Sequence, residues 1–212
     1  MTARPAGLLA GVLLFTACDA SGPEPLVDFA EFTALPVLAE LDATAVEPAV
    51  GTELWELRRS DFGEIQEVLV TGGSTGRDGV DSAALAAFDA LSPRVGFGIL
   101  CLPGDCYYFL ASVRGGVVEA WTTPEAVRAF LGRIESPEEA ALVALAEGFH
   151  WQDELESGAI RGRDGGWDVV VLRMISSCDP IRTDQFLLRI SSDGELVVRD
   201  SRVWASADGA CI

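Results

Sequence analysis

Apolar and polar residues change their spacing several times along the chain, and each change predicts an element. Over residues 27–41, Phe29, Phe32, Leu35, Leu38 and Leu41 recur every third position, which predicts a short helix broken by Pro36. Over 53–59 and 64–71 apolar residues alternate with polar ones, the period of a half-buried strand. Ser60-Asp61-Phe62-Gly63 between them makes the pair a hairpin. Residues 71–79 (TGGSTGRDG) are loop by composition, and an Ala-rich amphipathic helix is expected over 81–91, with Asp81 or Ser82 near its start.

Residues 95–101, 107–114 and 117–122 read as three strands, the last two joined at Gly115-Gly116, a favoured two-residue hairpin loop. Two helix starts follow. Thr123-Pro124-Glu125 precedes Val127, Phe130 and Leu131 on one face. Ser136-Pro137, with Glu139 three residues after the serine, forms a capping box ahead of Ala140, Leu142, Val143, Leu145 and Ala146. The remainder reads as four strands over 160–163, 167–175, 185–190 and 195–203. They are separated by Asp164-Gly165, a Cys178-Asp179-Pro180 loop and Asp193-Gly194, and Asp-Gly between apolar runs is a strong hairpin signal. The expected fold is α+β: antiparallel sheet meanders with two or three helices packed on one face. From residue 137 onward, one helix followed by four strands resembles the helix-and-wrapped-sheet arrangement of cystatin-like domains.

Composition narrows the function classes. The 212 residues are 49% hydrophobic and carry 33 acidic against 15 basic residues, a net charge of -18. That hydrophobic share supports a real core and excludes a disordered acidic tail, while the acidity excludes nucleic-acid binding through a basic face. All basic residues are Arg, and Lys and Asn are both absent. Because Lys and Asn share AA-starting codons, their joint absence reads as a GC-rich genome, with adaptation to high salt as the alternative.

The first 17 residues carry one positive charge at Arg4, an apolar run over 6–15, and small residues Thr16 and Ala17 before Cys18. This is the anatomy of an export signal, too short to provide the ~20 apolar residues of a bilayer-spanning helix. Phe15-Thr16-Ala17-Cys18 resembles the lipobox of bacterial lipoproteins, with Phe15 where Leu is usual. The resemblance implies that residues 1–17 are a removed signal peptide and that Cys18 receives diacylglycerol as the mature N-terminus. Residues 18–26 would then be a flexible tether, and 27–212 a single globular domain. The alternative is an ordinary secretory signal, with Cys18 a spare thiol or removed. The expected location is the bacterial cell envelope, membrane-anchored and facing the periplasm or exterior.

Export makes the other four cysteines candidates for disulfides. Cys101 and Cys106 flank Leu102-Pro103-Gly104-Asp105, whose Pro-Gly turn would bring them together, and Cys178 is left to pair with Cys211, pinning the end of the chain. The four-residue gap and the distance in sequence to the single His argue against a metal site or a redox dithiol.

Catalytic signals are sparse. His150, in Gly148-Phe149-His150-Trp151 beyond the second capped helix, is expected as a cation at the helix C-terminus rather than a base, and no Gly-x-Ser-x-Gly elbow accompanies it. Residues 72–77 (GGSTGR) before a helix invite a phosphate reading but lack the Lys and spacing of a P-loop, so a flexible surface loop is expected. Asp153, Glu154 and Glu156, or Asp164 and Asp168, are the carboxylates that glycoside hydrolysis would draw on. Asp78 with Asp81, or Asp164 with Asp168, fall short of a full calcium-ligand series. Trp55, Tyr107, Tyr108, Trp121, Trp151, Trp167 and Trp204 read as packing residues, with any exposed ones available for a ligand or partner patch. No catalytic residue, cofactor or metal is expected. The favoured reading is a non-enzymatic lipoprotein that binds an envelope protein or small ligand, or serves a structural role. Its partners would be the membrane through the N-terminal lipid and no nucleic acid. The alternative is an exported hydrolase using carboxylates or His150.

Overall fold

The computed structural model describes residues 25–61, 64–98, 106–209 and 211. The leader, Cys18, most of the tether, Phe62-Gly63 and Cys101 lie outside them. Among the described residues nine strands and three α-helices form an α+β fold: β1 (Thr33–Ala34), β2 (Leu54–Asp61), β3 (Glu64–Gly72), α1 (Ser82–Asp89), β4 (Cys106–Arg114), β5 (Val117–Trp121), α2 (Pro124–Leu131), α3 (Pro137–Ala146), β6 (Ala159–Arg163), β7 (Gly166–Ser177), β8 (Ile181–Ser191) and β9 (Leu196–Ala207). They build two antiparallel sheets, one ordered β3-β2-β4-β5 and the other β1-β6-β7-β8-β9.

Alternation along the strands decides the layering. On one face of the first sheet Leu54, Phe109, Ala111 and Val113 pack with Phe88 of α1. On the other face Trp55, Leu57 and Leu110 pack with Phe130 and Leu131 of α2, and the same cluster runs through α3 to Val169, Val171, Leu188 and Ile190 of the second sheet. Two helices therefore share a face, between the sheets, and α1 covers the opposite side of the first sheet. From Glu139 to Ala146 every residue of α3 is buried, as a helix enclosed on all sides requires.

Local chemistry starts each helix. Asp81 accepts from the amides of Ala83 and Ala84, and Thr123 from that of Ala126 ahead of Pro124. Ser136 and Glu139 form the reciprocal capping box, and the Glu139 carboxylate also takes the amides of Glu47 and Glu135. Gly132, at φ 70°, ends α2 in a conformation that favours glycine.

Two expected elements differ. Residues 27–41 form no α-helix: 3₁₀ turns at Phe29–Glu31 and Leu38–Glu40 flank β1, which pairs with β6. Three-residue spacing on extended backbone sends Phe32 to the outer face of the second sheet, with Ala159 and Val170, and Leu35 into the core between the sheets. Within 95–98 there is only an isolated bridge, Phe97 to Tyr108, where Gly98 at φ +64° turns the chain out of strand geometry. The far end of the second sheet carries the expected disulfide between Cys178 and Cys211. Cys106 is also disulfide-bonded, and its expected partner Cys101 lies outside the described residues.

Candidate functional site

The groups singled out by the sequence do not converge. His150 exchanges backbone hydrogen bonds with Leu172, and burial pushes its imidazole pKa below the ordinary value, which favours the neutral ring. The cation at the end of α3 is Arg173 instead: its guanidinium donates to the Glu147 carbonyl and lies 3.7 Å over the Phe149 ring. The expected dipole role of His150 is corrected accordingly. Asp153, Glu154 and Glu156 are exposed. Among the described residues no group of three or more His, Cys, Asp or Glu is placed to hold a metal ion, and no helix is long and apolar enough to cross a membrane.

The glycine-rich loop is tied down rather than free. The amides of Ser74, Thr75 and Gly76 donate to the carbonyls of Thr52 and Glu53, so they are engaged with the sheet and not open to a phosphate. Arg77 reaches from the loop to Glu56, at 2.8 Å, and to Asp89. Glu56 in turn accepts from Arg58 at 2.8 Å, and the Arg58 guanidinium lies 4.1 Å over the Phe88 ring, both charged side chains being almost fully buried under α1. Sequence reasoning missed this pair, although alternation in β2 places Glu56 and Arg58 on the same face as Leu54. The aromatics serve packing: the indole N–H groups of Trp121, Trp151 and Trp167 donate to Ser112, Pro36 and Ile134, and the Tyr107 hydroxyl to Pro93.

A depression of about 800 Å³ lies over the start of α3 beside Glu47, Glu135, Ser136 and Glu139. Its central carboxylate, Glu139, already accepts three backbone amides and so is committed to the fold, and Arg133 is paired at the surface with Glu135 at 3.0 Å.

A different constellation lies on the outer face of the second sheet. The register aligns Arg161 of β6, Asp168 of β7 and Arg189 of β8 in one cross-strand row. The Asp168 carboxylate, 14% exposed, accepts from Arg161 at 3.0 Å, Arg163 at 3.2 Å and Arg189 at 3.3 Å. Burial alone would raise its pKa, but the hydrogen bonds from Arg161 and Arg163, with the Arg161 charge and the Arg189 bond, hold it below the ordinary value. A carboxylate so engaged is a structural hub and not a base paired with Asp164, which is exposed and lends its backbone carbonyl to Arg189. Beside the hub is an open depression of about 450 Å³ bounded by Arg163, Asp164, Asp168, Leu187, Arg189 and Arg199. Guanidinium groups held in a fixed plane can receive a carboxylate or phosphate through paired hydrogen bonds. Comparison of the chain with family models, curated proteins and solved structures finds no match.

Proposed function

We propose that the chain is an exported lipoprotein, anchored to a bacterial envelope membrane through Cys18, whose domain serves a non-enzymatic binding or structural role. The observation that carries this reading is the N-terminal sequence: Arg4, an apolar run over 6–15, and Phe15-Thr16-Ala17 directly before Cys18. The disulfide between Cys178 and Cys211 suits an oxidising compartment. The non-enzymatic part is supported by how the candidate reactive groups are used. Asp168 is bound by three arginines, and the environment of His150 favours the neutral ring on a residue whose backbone is locked to β7.

Intact-mass spectrometry of the mature protein from an envelope fraction tests the anchor. A chain beginning at Cys18 and carrying acyl groups, with no alkylatable thiols among the other four cysteines before reduction, is the expected result. An unlipidated chain with free thiols overturns the reading. Turnover of an envelope substrate that one side-chain change abolishes, without loss of folding, overturns the non-enzymatic assignment.

A further inference from the structure

We infer that the depression bounded by Arg163, Arg189 and Arg199 is an oxyanion site, taking the phosphate or carboxylate group of a small ligand. Its lining holds three guanidinium groups against the two carboxylates of Asp164 and Asp168, an excess of positive charge on a chain whose net charge is -18. Nonspecific attraction of anions is opposed by that overall charge, so binding there depends on local geometry.

The geometry is preorganised. Asp168 fixes Arg163 through Nε and Arg189 through Nη1, while the Asp164 carbonyl takes Nη2 of Arg189. The terminal nitrogens of Arg163 carry only a loose ion pair, from Nη2 to Glu31 at 3.9 Å, beyond a hydrogen bond, and its side chain is 47% exposed. Arg199 completes the set through a β-bulge. Val198 faces Leu188 and Asp200 faces Leu187, leaving Arg199 as the additional residue of β9, and it borders the same depression as Arg189. Bulges bend a strand and re-aim a side chain, and they are over-represented beside binding and catalytic sites. Arg199 makes no ion pair or side-chain hydrogen bond among the described residues. Leu187 supplies an apolar wall for the carbon part of a ligand. Asp200, opposite Leu187 in the register, is not part of the lining, and its carboxylate accepts from the Ser201 amide. The site gives the binding role a ligand class and does not depend on the lipid anchor, whose failure the mass spectrum would reveal separately.

The test is titration of the purified chain with inorganic phosphate and with acetate, against chloride at matched ionic strength. Binding is read from the thermal midpoint and from Arg side-chain NMR signals. Saturable binding of either anion is expected, weakened about tenfold or more in Arg199→Ala, as loss of a hydrogen bond to a charged group implies. Arg94→Ala, exposed and away from the depression, should bind as the parent does. A phosphatidylglycerol arm, compared with phosphatidylcholine vesicles so that an N-terminal anchor inserting into either cancels, separates the sources. A preference for phosphatidylglycerol lost in Arg199→Ala assigns the phosphate to a headgroup, and its absence beside free-phosphate binding assigns a soluble ligand. No saturable binding in any arm, or binding indifferent to Arg199→Ala, overturns the inference.

Discussion

At the scale of single residues, the structure turns two sequence candidates for chemistry into devices of stability, and both leave a signature in pH. Burial lowers the His150 pKa from 6.5, so the folded state binds fewer protons than the unfolded chain in the window below that value. Its stabilising contribution is therefore complete above pH 6.5 and is lost as pH falls through the folded value. Asp168, lowered from 3.8, acts in the same direction at more acid pH, where the exposed Asp42 and Glu125, each held low mainly by a hydrogen bond (Asp42 from the Thr44 hydroxyl, Glu125 from its own amide), also titrate. Thermal midpoints measured downward from pH 7.5 should show an early decline that His150→Gln abolishes. Asp168→Asn should leave that early decline intact while lowering the midpoint at every pH, because three guanidinium groups lose their charged acceptor. An unchanged early decline in His150→Gln would show that the ring is not the titrating group.

Elements whose cause is local were legible, and those whose cause lies across the fold were not. The capped starts of α2 and α3 and the hairpins at Gly115-Gly116 and Asp164-Gly165 follow from neighbouring residues, and the structure has them. Periodicity says which side chains share a face but not what that face meets, so the placement of α2 and α3 between two sheets was hidden. So was the Asp168 hub, whose partners come from strands on either side of β7. The segment around β1 was misread because its apolar spacing also suits an extended edge with alternate outlets. Glu139 shows how much a local motif understates: the capping box accounts for the Ser136 amide, while Glu135 and the distant Glu47 also donate to the same carboxylate. Ser136→Ala should cost about 1 kcal/mol, the usual loss of an N-cap. Glu139→Ala leaves three donors without their acceptor in a buried setting and should cost about 3 kcal/mol or more. Urea unfolding of the two variants compares them directly, and equal losses would mean that the Glu47 and Glu135 contacts contribute nothing.

At the scale of the whole molecule, one core cluster spans both sheets through α2 and α3, so neither sheet has an inner face without the other. A single cooperative transition is the consequence, with tryptophan fluorescence and far-UV circular dichroism coinciding. The disulfide between Cys178 and Cys211 sits at the opposite extreme, on a part of the second sheet where Met174, Ile175 and Val203 are exposed. Two consequences of removing it can be distinguished. β9 is held along β8 by a ladder that runs from the Ile181–Ala207 pair to the Ile190–Leu196 pair with two bulges, so the folded geometry changes little and the main effect falls on the unfolded chain, which gains the freedom of a loop 33 residues long. For a loop of that length the cost is about 3–4 kcal/mol in the chain-entropy treatment. The double variant Cys178→Ser/Cys211→Ser, which leaves the disulfide of Cys106 in place, should therefore lower the urea midpoint, with a slope no shallower than the parent's because the freed unfolded chain exposes more surface, and with both probes still coincident. If the midpoint stays and only the amides near Ile181 and Ala207 exchange faster, the stapled end frays independently of the core, and the disulfide serves to hold the edge strand rather than the fold.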